Sequence, residues 1–288
     1  MSVATRGLFY ELFYAVGVLC LIILSFCRAK DYNTRRIRAV IYALYTFLAG
    51  YFGARLIGVV FTLICYFTGI SASVSVDVIG AVIFTAPLLL AAVYLEKAVM
   101  RRRAVKTTPK RNGVQPEEIS FRNTMDLMIP GAFLVFACIK IGCCFRGCCF
   151  GVECDWGFEA QYLGLPRPTL FPVQAFESIC IFIIAIASIF VQRAPFYRRG
   201  MSGPLAAFSY GAVRFFWEFF RWYPPELQRF FLGMTLWQAF CVLILIVAGI
   251  WIAILVKNQP CEPLPKQKAT VSNTSAAKKK TAKNVKIT

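Results

Sequence analysis

The chain has 288 residues, of which 58% are hydrophobic and 15% aromatic, with a formal net charge of +18 and no histidine. That apolar share exceeds the 45–50% usual for soluble domains, so the composition points to an all-α polytopic membrane protein. The basic residues fall between apolar runs and in the tail instead of forming one patch, which argues against nucleic acid and fits cytoplasmic loops beside anionic lipid. The lack of histidine removes the usual pH-7 base and the commonest neutral metal ligand.

The predicted spans, in order, are Leu8–Cys27, Ala39–Phe67, Val78–Leu95, Leu127–Ile141, Leu170–Val191, Gly203–Trp222 and Phe230–Val256. The first is of spanning length, so no cleavable signal peptide is expected. The fourth is short, with a possible extension to Gly151. Arg28, Lys30, Arg35, Arg36 and Arg38 follow the first span; Arg101, Arg102, Arg103, Lys106, Lys110, Arg111 and Arg122 follow the third; Arg193, Arg198 and Arg199 follow the fifth. This alternation predicts the N-terminus outside, seven spans, and the C-terminus in the cytoplasm. Residues 1–256 form one transmembrane domain, and 257–288 read as a basic, disordered tail.

Ionisable residues inside spans are costly and mark partners or wet cavities. They are Glu11, Arg55, Lys140 and Glu177, with Gln174 beside the last. In span six, "YGAVRFFWEFFR" sets Tyr210, Arg214 and Glu218 at i, i+4 and i+8, with Arg221 three beyond, on one predicted stripe. One reading is internal: Arg214 and Glu218 neutralise each other and lock the bundle. The other counts Lys140, Arg146, Arg167, Arg214 and Arg221 against Glu177 and Glu218, a cation surplus suited to an anionic ligand such as a phospholipid phosphate.

The stretch "IKIGCCFRGCCFGVEC" holds Cys143, Cys144, Cys148, Cys149 and Cys154. Cys144-x₃-Cys148 resembles half a zinc site but lacks a second pair. The spacing is too tight for an iron–sulfur motif. A disulfide from Cys154 to one of the pairs is open if this end faces outward. The favoured reading is small packing residues, with no metal and no cofactor.

Several motifs, in order, resemble those of the prolipoprotein diacylglyceryl transferase family. "YGAVRFFWEFFR" is similar to that family's Y-G-x-x-R-F-x-x-E-F-x-R, and "KIGCCFRGCCFG" to its R-I-G-C-F-x-x-G-C-C-x-G. "LPRPTLFPVQAFES" resembles its R-H-P-x-Q-L-Y-E, "GARLIGVVF" its arginine-bearing second helix, and "GMTLWQ" its last-helix motif. The resemblance spans roughly residues 8–255. It implies transfer of the diacylglyceryl group of phosphatidylglycerol to the cysteine thiol in a prolipoprotein signal-peptide segment, with membrane lipids as the setting. It assigns Arg214 to hold phosphate, with Tyr210, Glu218 and Lys140 as its catalytic partners. It places Arg55, Gly142, Cys143, Gly147, Gly151, Arg167, Gln174, Glu177 and Arg221 at substrate. Tyr10 matches a first-helix tyrosine.

Four positions depart from the family pattern. Lys140 stands for an arginine, Cys143 for a frequent asparagine, Phe171-Pro172 for His-Pro, and "FTAPLLLAAV" carries neither histidine nor paired glycine. The base would then be Thr85, Tyr210, Glu11, Glu177 or solvent. The alternatives are a related membrane enzyme acting on another lipid or acceptor, and a non-catalytic lipid-binding membrane protein.

Overall fold

The computed structural model describes residues 3–32, 34–68, 85, 87–98, 120–159, 169–222, 233–262 and 264. The predicted Arg167, residues 99–119 of the basic loop, residues 78–84 and 86 of predicted span three, residues 230–232 of predicted span seven, and the tail beyond Leu264 lie outside them. Seven helices appear: α1 (Val3–Arg28), α2 (Arg36–Thr68), α3 (87–98), α4 (Phe121–Arg146), α5 (Val173–Val191), α6 (Ser202–Glu218) and α7 (Leu236–Asn258). Five of them are long and apolar enough to cross a bilayer: α1, α2, α4, α5 and α7. The molecule is a polytopic helical membrane protein.

Burial is inverted relative to a soluble fold. Leu243, Ile246, Val247 and Ile250 of α7 are each more than half exposed, whereas Gln174 and Glu177 of α5 are fully buried. Apolar side chains can face lipid at no cost, so the interior is left for groups that need partners.

Helix α4 is the centre, packing on α1, α2, α5 and α6. Its contact with α1 is antiparallel and tight. Tyr10 lies on Gly142, Gly17 on Val135, and Leu21 on Gly131, so one register runs through both helices. A Cβ at Gly17 would stand 2.8 Å from the Val135 Cα, closer than real Cβ contacts come. Small residues permit this approach where no hydrophobic force drives helices together.

Several predicted boundaries move. Span four is longer than Leu127–Ile141, a full 26 residues that carry Pro130 inside the helix and end where left-handed Gly147 caps it. Span five begins at Val173, since Leu170 belongs to a strand. Span seven begins at Leu236, where Thr235 and Gln238 form a capping box that satisfies the first N–H groups. Span six ends at Glu218 instead of Trp222, giving 17 residues. That is about 26 Å of helix, short of a ~30 Å hydrocarbon core. Arg221 therefore sits in the turn after the helix, not on its stripe.

The strands were not anticipated. β1 (Glu153–Glu159) pairs antiparallel with β2 (Thr169–Leu170), with an irregularity between Glu153 and Phe158. Beside them, residues 150–152 are clasped from two sides. Gly151 N donates to Phe171 O (2.9 Å), Phe171 N to Val152 O (2.9 Å), Val152 N to Phe220 O (2.9 Å) and Trp222 N to Phe150 O (3.3 Å). The clasp binds the end of α4, the start of α5 and the end of α6. A ring of Trp156, Phe171, Phe176 and Trp217, with centroids 5.3–6.3 Å apart, covers it.

The opposite end of the bundle is basic and tied differently. Asp126, fully buried, accepts from Gly200 N (2.7 Å) and Ser202 N (3.3 Å). Gln192 donates to Asp126 O (2.7 Å) and Ser202 Oγ (2.6 Å) and accepts from Tyr32 and Arg28. Tyr197, in the loop beside it, has its phenol pushed well above its usual range by burial and then by the Asp126 charge.

Candidate active site

Glu177 is the hub. It lies one turn into α5, and its carboxylate has no exposure. Lys140 Nζ approaches Oε2 at 3.0 Å from α4, Arg221 Nη2 at 2.6 Å from the turn after α6, and Arg214 Nη1 at 3.7 Å from α6. The Tyr210 hydroxyl donates to Oε1 over a long 3.4 Å. A second carboxylate, Glu218, meets Arg214 Nη2 at 3.0 Å and Arg221 Nε at 3.8 Å, and accepts from Thr235 Oγ1 at 3.1 Å. The i, i+4 spacing of Arg214 and Glu218 thus makes the contact expected of it.

Three cations face two carboxylates, leaving one positive charge in excess within this network. Lys140 and Arg221 are 7% exposed and Arg214 12%. Arg214 and Glu218 pair directly; of the five cations the second sequence reading counted, Lys140, Arg214 and Arg221 meet these carboxylates, Arg146 covers Tyr10, and Arg167 lies outside the described residues. A buried surplus cation is unfavourable unless an anion answers it.

Two of the three glycines of the α4 segment, Gly142 and Gly151, lie close against backbone, and the third turns the chain. Gly142 carries Tyr10, Gly147 caps α4 in the left-handed region (φ 76°), and a Cβ at Gly151 would come 2.6 Å from Phe220 O and 2.8 Å from Phe171 O. Gln174 donates to Cys148 O at 3.1 Å, which pins the loop that follows. Among the predicted residues that are described, Arg55 stands apart from the network. It stands on exposed α2 with its guanidinium 5.4 Å from the Tyr51 ring, on the α1–α2 side.

Three of the cysteines lie closer together than their order in the sequence shows. After Gly147 turns the chain, Cys149 also adopts a left-handed backbone (φ 64°). The turn folds Cys148 and Cys149 back over Cys143, and the three sulfurs lie within 4.8 Å of one another. Hydrogen bonds from Cys143 and Cys148, aided by the charges of Arg221 and Lys140, hold the Cys149 thiol well below its usual range despite burial. Among the described residues Cys154 has no disulfide partner. A cleft of ≈ 540 Å³ opens beside this turn, lined by Arg6, Gly7, Tyr10, Glu11, Arg146, Gly147 and Cys148. Glu11 therefore faces the cleft, where Arg146 covers the Tyr10 ring at 5.0 Å.

Asp126 was missed altogether. Its signal was a lone carboxylate inside "TMDLMIP", as costly in an apolar run as Glu177. It serves the basic end and takes no part in the network.

The comparisons agree with the motifs. A prolipoprotein diacylglyceryl transferase family profile matches residues 6–255. The chain is 29% identical over 143 residues to a protein of Chlorobaculum tepidum named phosphatidylglycerol–prolipoprotein diacylglyceryl transferase. That match takes in 49% of each chain, so the chain spans about half the length of this curated relative. Because the family match runs through all seven helices and includes every residue of the Glu177 network, the chain belongs to the prolipoprotein diacylglyceryl transferase family.

Proposed function

We propose that the protein transfers the diacylglyceryl group of phosphatidylglycerol to the lipobox cysteine of a prolipoprotein, in the bacterial cytoplasmic membrane. The observation that carries this reading is the cation excess around Glu177 and Glu218. A phosphodiester brings the single negative charge that the network lacks, and guanidinium and ammonium groups are suited to hold it. The reaction makes a sulfur–carbon bond and breaks a carbon–oxygen bond. Charge gathers on the leaving phosphate, and preorganised cations stabilise that charge more than the ground state.

In this reading Arg214, the most accessible of the three cations, contacts the phosphate. Glu218 orients Arg214, Glu177 sets the spacing of Lys140 and Arg221, and Tyr210 supports Glu177. Gln174 and Gly151 keep the turn in place, and Cys143 lies under it. The ends of the bundle support the orientation: the network, the aromatic ring and the N-terminus of α1 share one end, facing outward, and the basic residues of the loops after α1 and α5 share the cytoplasmic end.

The test is incubation of the purified protein in detergent with phosphatidylglycerol labelled in an acyl chain and a lipobox peptide. Labelled peptide is expected, and Arg214→Ala is expected to lose at least a hundredfold in rate while still folding, with a melting temperature lowered by the loss of its pair with buried Glu218. No label on the peptide, with a competent family enzyme active alongside, overturns the reading. Label appearing on another lipid or acceptor instead would favour a related membrane enzyme.

A further inference from the structure

We propose that Cys143, Cys148 and Cys149 form a three-thiolate site for a soft divalent cation, Zn²⁺, whose fourth ligand is the thiol of the acceptor. The proposal rests on the thiol-transfer reading for its fourth ligand only. The geometry comes from two unusual backbone positions in sequence, Gly147 at φ 76° and Cys149 at φ 64°. A non-glycine residue in the left-handed region is held there by its surroundings. Here that support is the clasp at Gly151 and the hydrogen bond from Gln174 to Cys148 O. The strained turn has one visible result: it gathers three sulfurs within 4.8 Å.

The donor set selects the ion. Three sulfurs with neither imidazole nor carboxylate suit a thiophilic cation. Zinc bonds thiolate at about 2.3 Å, which puts tetrahedral sulfurs about 3.8 Å apart, a small rotation from the observed spacing. Structural zinc sites close with four protein ligands, whereas sites that do chemistry keep three and take the fourth from outside. Among the described residues the cluster offers three. Cys148 lies on the wall of the ≈ 540 Å³ cleft, so an incoming thiol has a way in. A zinc ion with three thiolates carries one net negative charge, and the cleft beside it sets Arg6 and Arg146 against Glu11, a surplus of one positive charge that tempers it without drawing on the Glu177 network.

The chemistry answers the missing histidine. Binding to zinc displaces the thiol proton to solvent, which leaves a thiolate at neutral pH without a side-chain base. That sulfur attacks the glycerol carbon; the S–C bond forms, the C–O bond breaks, and its electron pair leaves on the phosphate as the monoester dianion.

The test uses the full-length protein in detergent, reduced, stripped with chelator and titrated with Co²⁺. One equivalent per chain is expected to give the intense visible bands and ultraviolet charge transfer of tetrahedral cobalt–thiolate. Cys149→Ser and Cys148→Ser should lose them, and Cys144→Ser should keep them. The metal-free variants should melt as the metal-free parent does, which separates lost ligation from lost folding. A lipobox peptide should shift the bands, and its serine analogue should not.

No stoichiometric cobalt–thiolate band overturns the site. Bands indifferent to the cysteine peptide overturn the acceptor thiol as ligand. A disulfide within the cluster, with no metal uptake after reduction, also overturns the proposal and marks a redox pair. Full transferase activity in the chelated protein sinks the proposal and leaves the transfer reading intact. Metal and thiol binding without any lipid transfer sinks the transfer reading and leaves the site intact.

Discussion

At the scale of single residues, the Glu177 network sets a clear order of costs. Glu177 is fully buried and touches three cations, so Glu177→Gln leaves them facing one another around a neutral amide. Removing one partner of a buried ion pair costs about 3–5 kcal/mol. Thermal unfolding in detergent should register that loss, and lipid transfer should vanish with it. Tyr210→Phe removes only a 3.4 Å hydrogen bond and should cost less than about 1 kcal/mol. If the two variants melt alike, Glu177 is not the hub. The residues of this network were largely legible from sequence, because an ionisable group in an apolar run announces itself. Their pairing was legible only along one helix. Arg214 meets Glu218 by periodicity, whereas nothing in the sequence shows Lys140 and Glu177, 37 residues apart, meeting across α4 and α5.

The elements explain how these residues hold position. Helix α6 stops at Glu218, and the next three residues turn so that Arg221 enters from a different direction than Arg214. A continuous helix would have kept both on one stripe and out of reach of the clasp. Gly151 is a tight point of the clasp. Its substitution by alanine would push against two carbonyl oxygens that belong to backbone and cannot yield by rotamer change. Gly151→Ala should therefore lower transfer at least tenfold with all three cations still present, and a rate near the parent's would show that the clasp does not set their geometry. Gly17→Ala tests the other seam. The added methyl meets the Val135 backbone, and overpacking of this kind costs typically 1–3 kcal/mol, readable as a lower melting temperature. The sequence revealed the helices because hydrophobic length and periodicity are local. It did not reveal the β1–β2 pair or the thiol turn. Cys143-x₄-Cys148 is an acceptable ligand spacing, but the sequence does not show that left-handed Gly147 and Cys149 fold the third sulfur, that of Cys149, onto this pair.

For the whole molecule, the two ends are distinct in chemistry. One carries the network, the aromatic ring and the thiols; the other carries Asp126, Gln192 and the arginines around them. They are joined by α4, with Asp126 near one end and Lys140 near the other, about 21 Å apart along the axis. In the proposed orientation the basic end is cytoplasmic. Cys261, exposed and just past α7, should then resist a membrane-impermeant maleimide in intact cells and react once the membrane is opened. Labelling in intact cells would reverse the orientation.

The seam between α1 and α4 has a consequence in time. Ser25 of α1 contacts Met128 of α4, 103 residues later in the chain. Synthesis at about 5–20 residues per second puts roughly 5–20 s between the two. During that interval α1 has only lipid, α2 and whatever follows α2 for company. Its small-residue face must tolerate acyl chains before α4 arrives to cover it. A bulky residue at Gly17 would thus act on the finished seam, yet leave the earlier, waiting state unharmed.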